Sequence, residues 1–232
     1  MILHKDFGII LVLAAHADDE TLGCGGTISK LISQSFNCHI HVVTGHGKNK
    51  HPIFKNELFE KVRCEFKNAM THLGSPSYSF GDLPAAMLND IPRYLINDEI
   101  QNIVSKINPN TVFIPSKKDL HLDHKIINYA SKVALRPYLK NNSNLFNIIE
   151  YEVPSETGIF MDDSNDNFAP NLYFDISDQI ENKLKAFSEY KSQIQESNQP
   201  RSINGIKSLA SYRGINIGVN FAESFNIVFQ KN

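Results

Sequence analysis

The feature that most constrains the fold is a short, uninterrupted aliphatic run that ends in a cluster of ionisable residues. The segment from Ile9 to Leu13 is continuously apolar, which is typical of a strand that a sheet buries on both faces. The next segment, residues 16–20, reads His-Ala-Asp-Asp-Glu. The run falls short of the roughly 18 apolar residues that a membrane span needs, and a strand explains it better than a signal-peptide core. The pattern predicts a central strand whose carboxyl end carries polar side chains.

Predicted strands and helices alternate along the chain. Apolar runs predict strands over residues 9–13, 39–44, 78–80, 112–115, 146–153 and 225–229. Helical periodicity predicts helices over residues 21–35, 54–73, 91–107, 125–139, 178–193 and 202–212. This alternation is typical of a parallel sheet covered by helices. We therefore expect an α/β fold in one Rossmann-like domain over residues 1–232, with a mostly parallel sheet and helices on both faces.

Composition limits the partners that the chain is built to bind. The formal net charge of −2 argues against a dedicated nucleic-acid binder. Cys24, Cys38 and Cys64 form no CxxC pair, so neither a zinc ribbon nor a disulfide framework is indicated. Free thiols and the lack of a long apolar segment favour a cytoplasmic protein with no membrane span. The oligomeric state stays open, with a homo-oligomer as one option.

Two polar segments follow predicted strands and hold the chemistry. Residues 16–20 follow the first strand, and Asp119-Leu120-His121-Leu122-Asp123-His124 follows the strand at 112–115. Each has a structural explanation by itself, since acids favour helix amino termini and Asp123 could cap the next helix. Ligands of open α/β sheets bind at the carboxyl ends of strands, where the two segments meet. Imidazole and carboxylate groups together suit a catalytic zinc, which takes three protein ligands and keeps one position open.

The two motifs together resemble those of the PIG-L/LmbE-like de-N-acetylases, which include deacetylases of mycothiol, bacillithiol and glycosylphosphatidylinositol synthesis. The resemblance rests first on His16-Ala17-Asp18-Asp19-Glu20 with Gly23-Cys24-Gly25-Gly26, and on His121-Leu122-Asp123-His124. It extends over nearly the whole chain, through Arg63-Cys64-Glu65, Leu73-Gly74, residues 151–155, residues 185–193, Arg213-Gly214 and residues 222–225. Ala17 and Leu122 stand where many members have proline, a departure that should affect only the stiffness of the loops.

The resemblance implies a reaction and a role for each motif residue. It implies one Zn²⁺ per chain, held by His16, Asp19 and His124. Asp18 would be the general base. His121, protonated and paired with Asp123, would stabilise the oxyanion. The implied activity is hydrolysis of an N-acyl group, foremost N-acetyl, from an amino-sugar or an amino-sugar conjugate.

Several further residues are candidates for contact with the substrate. Arg63 lies on the helix that contributes an arginine near the sugar in the family, although an ion pair with Glu60 or Glu65 explains it equally well. Glu152 lies in a strand end that resembles the family's. Lysines follow two of the predicted strands, namely Lys48, Lys50, Lys117 and Lys118. They fit a phosphorylated or nucleotide-linked substrate, or an ordinary solvated surface.

Two other functions and several structural interpretations remain open. One function is a different zinc amidase or esterase on the same metal, and the other is a non-catalytic sugar- or nucleotide-binding module whose acids only cap helices. Gly23, Gly25 and Gly26 do not fit a dinucleotide-binding motif, and close packing of the first helix on the sheet explains them better. Four histidines, His4, His39, His41 and His72, are interpreted as surface or satisfied side chains. Residues 154–170, polar and aperiodic, predict a long loop that contributes to specificity.

Overall fold

The computed structural model of the chain describes residues 7–48, 51–159 and 167–231. The strands in these residues are β1 (Ile9–Ala14), β2 (Asn37–Gly45), β3 (Ser77–Pro84), β4 (Thr111–Pro115), β5 (Asn147–Tyr151), β6 (Leu172–Asp175) and β7 (Ala222–Gln230). The helices are α1 (Asp19–Ser33), α2 (Asn56–His72), α3 (Arg93–Ile107), α4 (Leu122–Ala134), α5 (Ile180–Glu189) and α6 (Ile203–Ile215). No helix of the described segments has the length and apolar character that crossing a membrane requires.

The strands form one sheet in the order β3-β2-β1-β4-β5-β7-β6. The first five are parallel to one another, whereas β7 runs antiparallel to both β5 and β6. β1 lies beside β4 although two strands and three helices separate them in the chain. The strand order reverses at this pair, and the carboxyl ends of two such strands form the crevice in which open α/β folds bind ligands.

Helices cover both faces of the sheet, as predicted. Successive side chains of β1 point to opposite faces, so Ile10 and Val12 enter one core while Leu11 and Leu13 enter the other. The first core is completed by α1, α2, α5 and α6, and the second by α3 and α4. Both faces of β1 are therefore buried, which explains why its sequence is continuously apolar.

The glycines of α1 permit close packing, as the sequence indicated. A Cβ atom on Gly23 would lie 2.3 Å from the ring of Tyr151, and one on Gly26 would lie 2.6 Å from Ile176. Any side chain at either position would push the helix away from the sheet. The glycine cluster therefore sets the position of α1, and with it the position of the residues at its amino terminus.

Some boundaries differ from the predicted ones. α1 begins at Asp19 and not at residue 21, and α4 spans Leu122–Ala134 and not 125–139. Both polar segments thus run into the first turn of a helix. β6 was not predicted, and β3 is longer than expected. In the segment predicted as a long loop, residues 160–166 lie outside the described residues, and Thr157 forms an isolated bridge with Asp119.

Candidate metal centre and active site

Three potential metal ligands converge at the carboxyl ends of β1 and β4. His16 Nδ1 lies 3.2 Å from His124 Nε2, and Asp19 Oδ2 lies 3.1 Å from His124 Nε2 and 3.5 Å from His16 Nδ1. Zinc–ligand bonds of about 2.0–2.1 Å in a tetrahedron place neighbouring donor atoms about 3.3–3.4 Å apart. The three donors therefore have the chemistry and the mutual spacing that a single zinc ion requires.

Local backbone structure brings these donors together. His16 follows β1, and its backbone N–H donates to Asp19 Oδ2 at 2.8 Å. Asp19 is the first residue of α1, and His124 is the third residue of α4. Each motif is thus a tight connection between a strand and the helix that follows it. The adjacency of β1 and β4 makes the two connections neighbours.

Carboxylates outside this trio hold the two histidine rings. Asp119 Oδ2 lies 2.9 Å from His124 Nδ1, and Asp119 also accepts from the His121 backbone N–H and the Thr157 hydroxyl, both at 2.9 Å. Asp123 Oδ2 lies 3.0 Å from His16 Nε2. A carboxylate on the far nitrogen fixes the tautomer and orientation of a metal-binding histidine. Asp119 belongs to no part of the motif that predicts ligands, although a metal-binding histidine generally has such a partner.

The Asp123 carboxylate contacts the His16 ring, whereas a pairing with the His121 ring was expected. Asp123 also accepts from the backbone N–H groups of Ala86 at 2.6 Å and Leu88 at 3.1 Å. It therefore ties the segment after β3 to the start of α4. Asp123 does not cap α4, because that position belongs to His121.

The hydrogen bond that His121 makes in the structure fits a neutral ring, whereas the sequence predicted a protonated one. His121 Nδ1 accepts from the Asp123 backbone N–H at 3.2 Å, so the ring proton of a neutral imidazole is on Nε2. Burial lowers the pKa of His121, and nearby positive charge on His16 and His124 lowers it further. Potential ligand atoms of His16, His121 and His124 lie within 4.8 Å of one another. His121 is therefore close enough to the trio to donate a hydrogen bond to a group bound there.

The electrostatics of the trio favour a cation. Burial lowers the pKa of His16, but hydrogen bonds to Asp123 and Asp19 overcome this effect and raise it to about 9. Burial opposes ionisation of Asp19, but the charge of His124 holds its pKa well below the usual value. Protons on the histidines and a metal ion compete for the same donor atoms. The carboxylates that stabilise the protons would equally stabilise a divalent metal.

Asp18 precedes Asp19 in the chain, and its carboxylate contacts Arg201. Its backbone has φ 137° and ψ −26°, a conformation that L residues rarely adopt, and its carboxylate is buried. Burial raises the pKa of Asp18 to about 8, and the negative charge of Asp19 adds to the increase. Arg201 Nη1 lies 3.4 Å from Asp18 Oδ2 and opposes that shift. Sequence reasoning missed Arg201, which is 183 residues away from Asp18 and belongs to no recognisable motif.

A cavity of about 310 Å³ opens beside the donor atoms. Its polar lining includes His16, Asp18, Asp19, Arg63, His121, His124, Glu156, Gln193 and Arg201. Its apolar lining includes Val42, Phe54, Leu58, Phe59, Val62 and Phe80. The cavity is large enough for a small ligand and reaches the candidate metal ligands directly.

Of the predicted substrate contacts that the structure describes, only Arg63 lines this cavity. Its Nη2 donates to the Gly81 carbonyl at 3.2 Å and lies 3.5 Å from Asp82 Oδ1, and Nη1 lies 3.8 Å from Glu60. Lys48 is exposed and Lys118 half-buried, but neither belongs to the cavity wall. Lys50 lies outside the described residues.

Glu152 is a structural residue, contrary to the expectation that it contacts substrate. Its carboxylate accepts from Arg213 Nε at 2.8 Å, Arg213 Nη2 at 2.7 Å and the Ser224 hydroxyl at 2.7 Å. It is buried away from the cavity wall. This paired carboxylate holds β5 against β7 and α6.

Comparisons with known proteins agree with the site. The family model described as "PIG-L: GlcNAc-PI de-N-acetylase" matches residues 11–135, more than half of the chain. The chain belongs to the PIG-L family. A diacetylchitobiose deacetylase of Thermococcus kodakarensis is 25% identical over 97% of this chain and 84% of its own. An uncharacterized deacetylase of Escherichia coli is 30% identical over 79% of this chain and 90% of its own.

The fold of this PIG-L family member also occurs in an enzyme with different chemistry. The 4-carboxy-2-hydroxymuconate hydratase GalB of Pseudomonas putida KT2440 has a TM-score of 0.75 to this chain. The match has 17% identity and covers 97% of this chain and 98% of the hydratase. Structural similarity at this identity indicates the fold alone. The reaction depends on the residues of the site.

Proposed function

We propose that this PIG-L family deacetylase is a zinc-dependent hydrolase that removes an acetyl group from the amine of an amino-sugar. The observation that supports this most directly is the convergence of two imidazoles and one carboxylate beside a buried second carboxylate, Asp18, at the wall of a cavity. His16, Asp19 and His124 would hold one zinc ion per chain. When bound, zinc would polarise the amide carbonyl and make water more acidic.

The residues around the trio would have different roles in the reaction. Asp18 would take the proton of the attacking water, because it is a cavity-lining carboxylate beside the ligands and not among them. His121 would donate from Nε2 to the developing oxyanion as a neutral imidazole. Arg201 would favour the ionised form of Asp18 and so oppose the rise in pKa that burial causes. Asp119 and Asp123 would hold the ligand rings in place.

An amino-sugar fits the polar part of the cavity. Glu156, Gln193 and Arg201 line the same cavity as the candidate ligands, and together they offer hydrogen-bond donors and acceptors. Hydroxyl groups of a sugar ring require both kinds of partner when they leave water. The relatives named as deacetylases support the same reaction.

A product assay over a panel of substrates tests the proposal. Acetate release would be measured by mass spectrometry from N-acetylglucosamine, diacetylchitobiose, N-acetylglucosamine 1-phosphate and a nucleotide-linked N-acetylglucosamine, beside simple esters and acetylated peptides. We expect zinc-dependent release from at least one amino-sugar and none from esters or peptides. Activity on the ester or peptide panel alone would replace the proposal with another zinc hydrolase. Sugar binding without acetate release by zinc-loaded protein would indicate a non-catalytic module.

A further inference from the structure

The cavity beyond the candidate metal centre has a polar half and an apolar half. The polar half is formed by Asp18, His121, Glu156, Gln193 and Arg201. The apolar half lies between α2 and the β2–β3 pair and is formed by Val42, Leu58, Phe59, Val62 and Phe80. Both halves belong to the same cavity that His16, Asp19 and His124 line, so one ligand bound at these residues could reach both.

The apolar half offers few hydrogen bonds to a ligand. The Thr44 hydroxyl proton is donated to the Ala15 carbonyl at 2.7 Å. Nη2 of Arg63 is directed to the Gly81 carbonyl and the Asp82 carboxylate. Sugar hydroxyls placed among the apolar side chains would lose their water partners without replacement, at a cost of roughly 1–3 kcal/mol each. The sugar ring therefore belongs in the polar half, and the apolar half is left for a part of the substrate without hydroxyls.

Large apolar side chains stay exposed where this half reaches the surface. Phe54 and Leu58 both line the cavity, and they are 38% and 37% exposed. Ile53, next to Phe54 in the chain, is 64% exposed. A contiguous apolar patch that continues into a cavity is typical of a ligand-binding surface.

We propose that the apolar half is an acyl-chain subsite and that the enzyme prefers amino-sugars carrying an N-acyl chain longer than acetyl. The inference rests on the proposed function, which places the amide carbonyl at the donor atoms. With the sugar in the polar half, the part without hydroxyls that is joined to that carbonyl is the acyl chain. An acetyl methyl group would leave most of the apolar half in contact with water, whereas a chain of four to six carbons would extend along Val62 and Leu58.

A chain-length series of N-acylglucosamines tests the preference. Each methylene buried should raise kcat/KM by about fourfold, so butanoyl should exceed acetyl by about 15-fold. A flat or falling series would overturn the inference while leaving acetyl hydrolysis, and thus the proposed function, intact. Phenyl and octyl glycosides of N-acetylglucosamine form the second arm. A gain from these apolar aglycones without a gain from longer acyl chains would assign the subsite to the aglycone and overturn the acyl proposal.

Two variants connect the preference to the apolar half. Leu58→Gln keeps a good helix former in α2 and should lower the butanoyl-to-acetyl ratio of kcat/KM at least fivefold. Ile215→Gln, at another exposed apolar position, lies at the end of α6 outside the cavity wall and should keep the ratio of the parent. Equal ratios in the parent and both variants would contradict the subsite.

A binding measurement separates this inference from the proposed function. Hexanoate should bind the protein more tightly than acetate, by at least tenfold, and should shift the methyl NMR signals of Val42 and Val62. This result is expected even if no amide on the panel is hydrolysed. Equal affinities of the two carboxylates would overturn the acyl subsite, whatever the activity.

Discussion

Two clusters of histidines lie on the same sheet, and only one has the arrangement of a metal centre. In the metal-centre cluster (His16, His121 and His124), ring nitrogens of His16 and His124 lie 3.2 Å apart and 3.1–3.5 Å from the Asp19 carboxylate. In the edge cluster (His39 and His41 of β2), hydroxyl groups separate the rings. Ser77 and Ser79 Oγ lie 2.8 Å from the His39 ring nitrogens, and Ser79 Oγ also lies 2.8 Å from His41 Nδ1.

The difference shows what distinguishes a ligand from a satisfied histidine. Both ring nitrogens of His39 have a hydroxyl partner, and His41 has Ser79 on one side and Glu99, at 3.0 Å, on the other. No hydrogen-bonding capacity is left for an ion. In the metal-centre cluster, one nitrogen of each candidate ligand ring, His16 and His124, contacts a carboxylate, and the other nitrogen lies near the other ring and Asp19. The arrangement of the free nitrogens, and not the number of histidines, identifies the site.

The largest effect on zinc binding should follow removal of a proposed ligand. Asp19→Ala and His124→Ala should each abolish stoichiometric zinc binding, because a catalytic zinc with two protein ligands is poorly held. His39→Asn, the matched change in the edge cluster, should retain about one zinc per chain. Metal content of gel-filtered protein, measured by mass spectrometry, checks all three. Full occupancy in Asp19→Ala would show that the ligand set is wrong.

Asp18→Asn should distinguish the role of Asp18 from that of Asp19. The change keeps the size of the side chain and removes the base, so we expect a loss of at least about 10²-fold in kcat. Zinc content should stay at the parental level, because Asp18 is not among the converging donors. Steady-state kinetics on the best substrate, with metal analysis of the same sample, provide the test. Loss of the metal, or near-normal activity, would contradict the assigned role.

Asp119→Asn should have an intermediate effect. The amide no longer offers a charged acceptor to His124 Nδ1, and loss of such a partner typically costs 10- to 100-fold in metal affinity. Glu99→Gln makes the same change beside His41 in the edge cluster and should leave zinc affinity unaltered. Competition with a chromogenic chelator measures the zinc affinity of both variants. Equal zinc affinities for the two variants would remove the distinction between the clusters.

The smallest effect concerns stability and belongs to the edge cluster. Burial lowers the pKa of His39 from 6.5 to about 4, with help from His41 and Lys106. Between these values the unfolded chain binds a proton that the folded chain does not, so stability should fall as pH drops from 6.5 to 4. The loss should be on the order of 1 kcal/mol, since the half-buried ring is partly screened.

Urea unfolding at pH 7 and pH 5 measures this loss in the parent and in His39→Asn. The variant should lose less stability over the same interval, because the titrating ring has been removed. An identical loss in both proteins would assign the pH dependence to other groups.

Most of the fold could be predicted because buried positions show up in the sequence as apolar residues at regular spacing. β1 is apolar on both faces, and α2 repeats its apolar residues at helical spacing. β6 shows no such spacing, because only Phe174 of its four residues is buried and the strand lies at the edge of the sheet. The antiparallel direction of β7 depends on how the chain returns after α6, which no local pattern encodes.

The site could be predicted as a set of residues but not as a set of contacts. Adjacent strand ends bring His16 and His124 together, so topology alone implies their proximity. The partner of Asp123 depends on the direction of its side chain in the first turn of α4, which spacing does not give. The ion pairs of Glu152 with Arg213 and of Asp18 with Arg201 join residues 61 and 183 positions apart. Such pairs are formed only by the completed fold.

The unusual backbone conformation of Asp18 would set stability against the catalytic role proposed for this residue. Its φ of 137° is one that glycine adopts freely and that costs other residues about 1–3 kcal/mol. This conformational free energy destabilises every folded molecule, whereas the proposed catalytic role of Asp18 would matter only during turnover. A library selected for thermal resistance alone should therefore accumulate glycine at position 18 and become inactive. Selection for growth on the substrate should restore aspartate and accept the lower melting temperature.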